Sequence, residues 1–176
     1  MTQQSHKSIM RLVASALFMA LIFLMTLISW RIPGVAGAYI HPGDSMIYAC
    51  AWFVGGPLGG AAAGLGSMLA DLTLGSVQYM IPTLIIKFLM GGVCAMLFRA
   101  LPDKWWGYIL AMLPGALIMI VGYSAYEWMV AGIGAVAVTI VPGIIQGVGG
   151  IAIAMPIIIA LKKLDALKSF RDVMKG

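Results

Sequence analysis

Charge is what this chain has least of. Lys, Arg, Asp and Glu make up 10% of its 176 residues against 62% hydrophobic, and the mean hydropathy is +1.02. Soluble domains carry about 25% charged residues, so the composition excludes an ordinary soluble fold and fits a polytopic membrane protein. Cysteine is scarce too. Cys50 and Cys94 each lie inside apolar runs, which indicates packing residues rather than a disulfide framework or a CxxC redox pair. The two histidines, His6 and His41, lie outside the apolar runs. An intramembrane serine protease would need such a base beside the serines of "GLGS" or "GYSA", and nothing there activates them. No HExxH, no cluster of ligands at metal spacing and no GxxxxGK phosphate loop occurs, so metal chemistry and loop-based ATP hydrolysis are not expected. The expectation is a protein that is not an enzyme and uses no cofactor or metal.

What is abundant is apolar sequence punctuated by 22 glycines. Leu12 to Trp30 is uncharged and long enough for a hydrocarbon core of about 30 Å, which takes roughly 20 helical residues. No small-x-small cleavage site with a polar mature domain follows, so this run reads as a retained first helix rather than a signal peptide. Val77 to Arg99, Trp105 to Val130 and Val136 to Leu161 read as further helices. The run from Asp44 to Gly75 is too long for one span and short for two. "GGPLGG" (Gly55 to Gly60) interrupts it, since Gly adds backbone freedom and Pro removes a donor.

Charge placement resolves that run. Lys7 and Arg11 precede helix 1, Arg99 and Lys104 flank the "RALPDK" link, and Lys162, Lys163, Lys168, Arg171 and Lys175 follow the last helix. Short basic flanks stay cytoplasmic, and only an even split of the glycine-rich run puts all three groups on one side. The expectation is therefore an all-α, single-domain membrane protein over residues 1–176, with six transmembrane helices near 9–30, 44–56, 58–74, 77–99, 105–130 and 136–163, and both termini cytoplasmic. The net charge of +5 follows from this positive-inside pattern and implies no nucleic acid partner.

Polar groups inside the spans carry the functional signal. Lys87 lies about 13 Å along its helix from Gln78 at 1.5 Å rise per residue, deep in the bilayer, where a lysine costs on the order of 2.5 to 3.5 kcal/mol on insertion scales. It needs a partner or a polar cavity: either a structural ion pair with Asp44 or Asp71, or a ligand contact. Tyr123 and Glu127 are four apart and share a helix face, with Tyr126 and Trp128 beside them. They read either as an interfacial aromatic belt or, with Gln78, Tyr79 and Gln146 from neighbouring helices, as a pocket for a flat polar heteroaromatic molecule. In "YIHPGDSMIYACAW" (residues 39–52), Pro42 and Gly43 end an outer loop and Asp44 is expected to cap helix 2. His41 is either part of a plain turn or a group that closes over ligand.

Small residues recur at four-residue spacing: Ala16 with Ala20, Gly60 with Gly64, and Gly143 with Gly147. Such faces let helices approach closely, in internal packing or, for helix 1, against another protein. The basic start, Ala16-xxx-Ala20, "HPGDS", "GGPLGGAAAGLGSMLADLTLG" and "PTLIIKFLMGG" stand in an order that resembles the substrate-binding S component of energy-coupling factor (ECF) vitamin transporters over residues 8–163. The resemblance implies capture of a vitamin or precursor near the outer face of the cell membrane, and docking on a transmembrane T component with two cytosolic ATPases. It also implies that the helix 1 alanines serve docking and that loop 1 with helices 4 to 6 forms the site. The "HPGD" and "IIK" features look most like subgroups for riboflavin or for small pyridine and pyrimidine precursors. The smaller rings are favoured because the expected site has few polar groups for a ribityl chain. Two rival classes remain open: a self-sufficient transporter coupling protons through Lys87 and Glu127, and a membrane scaffold without a pocket.

Overall fold

The computed structural model describes residues 3–164, so Lys168, Arg171 and Lys175 of the expected basic cluster lie outside the described residues. Helix α1 (Gln3–Leu27) stops short of Trp30. Trp30–Arg31 (β1) instead pairs antiparallel with Tyr39–Ile40 (β2), Trp30 opposite Ile40 and Arg31 opposite Tyr39. Then follow α2 (Gly43–Phe53), α3 (Gly56–Thr73), a single 3-10 turn (Val77–Tyr79), α4 (Met80–Ala100), α5 (Trp105–Ala131) and α6 (Ile133–Lys163).

The breaks follow from local chemistry. Gly55 and Gly56 take φ of +64° and +60°, a region that side chains with a Cβ avoid. Pro57 stands in the first turn of α3, where its missing N–H would have had no helical partner. Gly132, at φ +79°, separates α5 from α6 in the same way. The expected cap on helix 2 is a correction. Pro42 holds the cap position without a side-chain cap bond, and Asp44 lies in the first helical turn. Its carboxylate is drawn to a buried ammonium instead, which offers far more than a backbone N–H.

Helix α2 is the centre of the molecule. It packs against α1, α3, α4 and α6, and ten of its eleven residues are buried. Around it, glycines let backbones meet. A Cβ on Gly64 would lie 2.7 Å from the Leu84 carbonyl oxygen, and one on Gly66 would lie 2.7 Å from that of Met19. The small residues of α3 therefore serve internal packing against α4 and α1. On α1, Ala14, Ile22 and Thr26 are buried, whereas Ala16 and Ala20 lie on an exposed face with Leu12, Leu17, Leu21 and Leu24.

Among the described residues, four segments are long and apolar enough to cross a membrane: Lys7–Leu27, Val77–Ala100, Trp105–Ala131 and Ile133–Lys163. This is a multi-pass membrane protein. Helices α2, with 11 residues, and the glycine-rich α3, with 18, fall outside that set, so length and composition alone support four spans rather than the expected six.

Candidate functional site

Four helices each turn a polar stripe inward. On α3, Ser67 and Asp71 are four residues apart. Tyr79 and Thr83 repeat that step at the start of α4, as do Met119, Tyr123 and Glu127 on α5, and Gln146 stands on α6 one turn below Gly143. All of them line one cavity of about 660 Å³, its open mouth included. The four-residue step places each set on a single helix face. The segment from Gly37 to His41, including β2, covers the cavity.

The lining is tied together by side-chain hydrogen bonds. Tyr79 Oη donates to Glu127 Oε1 in a very short contact. Thr83 Oγ1 and Tyr123 Oη share a bond of 2.9 Å, and Tyr39 Oη donates to Asp71 Oδ1 at 2.5 Å. The His41 backbone N–H donates to Gln146 Oε1 at 3.1 Å, fixing the loop to α6. Gly43 N–H donates to His41 Nδ1 at 3.0 Å, so the neutral ring carries its proton on Nε2. Burial brings the His41 pKa down to about 4, with Asp44 opposing the shift and Lys87 adding to it, which keeps the ring neutral at physiological pH. Burial, reinforced by Asp71, likewise raises the Tyr39 phenol above its ordinary value and keeps it a donor.

Beneath the cavity lies a closed ion pair. Lys87 Nζ meets Asp44 Oδ1 at 2.5 Å with neither side chain exposed, and Gln146 Nε2 donates to Asp44 Oδ2 at 2.8 Å. Lys87 thus pairs with Asp44 and stands outside the cavity lining, the ion-pair alternative of the two left open for it: the low-dielectric interior demands a counter-ion. Asp71, expected as the other partner, faces the cavity instead. Gln78 is also displaced from the expected site. Its Nε2 donates to the Ala36 carbonyl at 2.9 Å, bracing the loop. The structure brings His41, Tyr79, Tyr123, Glu127 and Gln146 together. Ser67, Asp71 and Thr83 join them as lining residues, although sequence reasoning proposed no ligand role for them; their spacing from one another and from Tyr79 was the available signal.

Arg31 pins the cover. Its guanidinium donates to Ser76 Oγ at 2.9 Å, to the Gly37 carbonyl at 3.2 Å and, in a very short contact, to the Leu74 carbonyl at the end of α3. A cation there also complements the negative end of the helix. Arg31→Ala is expected to raise amide exchange across Trp30 to Ile40 by roughly 5-fold or more, on the ~1 kcal/mol scale of a net hydrogen bond. Hydrogen exchange with mass spectrometry checks this, and unchanged protection would show that the strand pair holds itself.

A family model described as "ECF-type riboflavin transporter, S component" matches residues 6–163. The chain belongs to this family. Among its relatives is the thiamine precursor transporter HmpT of Lactococcus lactis subsp. cremoris (strain MG1363), 27% identical over 172 residues, which are 97% of this chain and 99% of the relative. An uncharacterized protein of Pyrococcus woesei, from a gap 3' region, is 31% identical over 134 residues, 76% of this chain and 89% of its own length. As an S component, the chain is a transport protein of vitamin or vitamin-precursor uptake, and the family points away from catalysis. The cavity lies among the helices of this S component, covered by the segment that carries its strand pair.

Proposed function

We propose that this S component captures one vitamin-like heteroaromatic molecule from the outer side of the cell membrane and passes it through a transmembrane T component driven by two cytosolic ATPases. The observation that carries the reading is the cavity, where the rings of Tyr39, Tyr79 and Tyr123 stand with the carboxylates of Asp71 and Glu127 beneath a pinned cover. Rings suit stacking, and a few placed polar groups suit recognition of a ring edge.

Six spans with both termini cytoplasmic belong to this reading. The α2–α3 turn lies beside a basic end, where a Cβ on Gly55 would be 3.1 Å from Arg99 Nη2 and one on Gly56 would be 3.5 Å from Arg11 Nη2. At the start of α5, Asp103 pairs with Lys162 of α6 at 3.1 Å. The opposite end gathers the strand pair, Ser76, Gln78 and Tyr126, whose hydroxyl donates to the Gln78 carbonyl at 2.7 Å. That sorting matches the positive-inside pattern. Helix α2 is enclosed by protein, so it needs no lipid-matched apolar length.

A small pyridine- or pyrimidine-type ring is favoured over riboflavin. Most polar groups of the lining already bond one another, which leaves few for a polyhydroxylated ribityl chain. The printed name of the Lactococcus relative points the same way, while that of the family names riboflavin.

Glu127→Ala and Gln146→Ala are each expected to weaken ligand binding roughly 5-fold or more, since a buried donor or acceptor left unpaired costs about 1 to 3 kcal/mol. Native mass spectrometry identifies the co-purified molecule and calorimetry measures its affinity in each variant. Unaltered affinity in both would move the binding site elsewhere.

A further inference from the structure

We propose that the end of the bundle away from the cover holds an anionic membrane lipid, with its headgroup phosphate between Arg11 of α1 and Arg99 of α4. The inference goes beyond the capture reading and does not depend on it. Both guanidiniums converge on the α2–α3 turn. A Cβ built on Gly56 would lie 3.5 Å from Arg11 Nη2 and 3.9 Å from Arg99 Nη2, and one on Gly55 would lie 3.1 Å from Arg99 Nη2. The bare glycine backbone thus leaves open a space between two cations that a side chain would enter. Lys7 stands one turn before Arg11 on the same face of α1. Helix α3 begins at this turn without a side-chain cap, which adds N–H groups that no helix carbonyl takes and the positive end of its dipole.

Among the described residues no carboxylate neutralises this charge. Asp44 is held by Lys87, Asp103 lies 3.1 Å from Lys162, and Asp71 and Glu127 line the cavity. Arg11 Nε is buried without a hydrogen-bond partner. Two like charges drawn to one spot repel each other unless an anion lies between them, and a phosphate offers oxygens to both guanidinium forks. The surroundings select a lipid as its carrier. Trp105 and Trp106 are exposed at the start of α5, just after the end of α4 that carries Arg99, and exposed tryptophans mark the headgroup level. Inside that level Leu12 of α1, Met96 of α4, and Leu65 and Leu69 of α3 are exposed. Because α3 packs against both α1 and α4, these side chains offer acyl chains an apolar bed below the arginines. A zwitterionic lipid would bring an ammonium to a site already rich in cations, so the headgroup that fits carries net negative charge.

The test uses purified full-length protein in neutral detergent and native mass spectrometry. The probes are phosphatidylglycerol and phosphatidylcholine with identical chains, and inorganic phosphate as the free anion. One phosphatidylglycerol is expected to stay bound roughly tenfold or more in preference to phosphatidylcholine, on the scale of two basic side chains meeting an anionic headgroup. Arg11→Gln and Arg99→Gln should each lower that preference roughly fivefold. Lys104→Gln, which removes the same charge beside the start of α5, should leave it unchanged. Arg99 is exposed, so its variant carries the test if Arg11→Gln fails to fold. Equal retention of both lipids, or a preference that survives both substitutions, overturns the proposal. Displacement of the lipid by inorganic phosphate would assign the site to a free anion. Loss of T component co-purification in the arginine variants, with no lipid preference in the parent protein, would assign it to an acidic protein surface. Either result overturns the lipid assignment and leaves the capture reading standing on its own ligand measurements.

Discussion

Lys87→Ala is expected to remove most of the folded protein, because it strands the buried Asp44 carboxylate without its counter-ion. Both side chains of this pair are fully buried. Removing one partner of such a pair costs about 3 to 5 kcal/mol, mainly through the charge left behind. Gln146 Nε2 still reaches Asp44 Oδ2 at 2.8 Å, but a neutral amide does not neutralise a carboxylate. The double replacement Lys87→Met with Asp44→Asn removes both charges and keeps an acceptor for Gln146, so it is expected to recover a large part of the loss. Yield of monodisperse protein in detergent and its thermal denaturation measure both variants. Normal yield of Lys87→Ala with lost ligand binding would reassign the lysine from the frame of the site to the ligand.

Ala16→Trp or Ala20→Trp is expected to abolish most uptake by cells while leaving ligand affinity within about twofold, inside the ~0.5 kcal/mol spread of surface substitutions. Both alanines lie on the exposed face of α1, and none of the described side chains of α1 lines the cavity. The buried face of α1 is a different one, where Ile22 and the Met19 carbonyl meet Gly66 of α3. A bulky ring on the outer face has room in the isolated protein, but it holds off a partner helix that needs close backbone approach. Co-purification of the T component and ATPases should fall with uptake. Mutants that bind and transport normally would take α1 out of the coupling. Loss of both binding and uptake would mean that α1 also steadies the bundle.

The features legible in the sequence are those set by neighbours along the chain. The break at "GGPLGG" is local, because glycine backbones and a proline settle it before any packing occurs. Tyr123 and Glu127 share a face through helical spacing alone, and both line the cavity. The strand pair of Trp30–Arg31 with Tyr39–Ile40 was hidden, since two residues per strand leave no alternation to read. Ser67 and Thr83 were hidden because a small hydroxyl in a helix ordinarily bonds its own backbone.

By itself the sequence determined that this is a helical membrane protein, that its glycine-rich run breaks at "GGPLGG", which polar residues share a helix face, and, through the order of its motifs, the S component family. Only the tertiary structure decided between Asp44 and Asp71 as the partner of Lys87. Both acids suit the lysine by charge, and their separation along the chain says nothing about their distance in space. The approach of α2 to α4 brings Asp44 to Lys87, and the close fit of α3 on α4 leaves Asp71 facing the cavity beside Tyr39. An ion pair is a matter of a few ångströms, and those are set by how helices seat against one another, through the shapes of Gly60, Gly64 and the residues they meet, rather than by the identity of the charges.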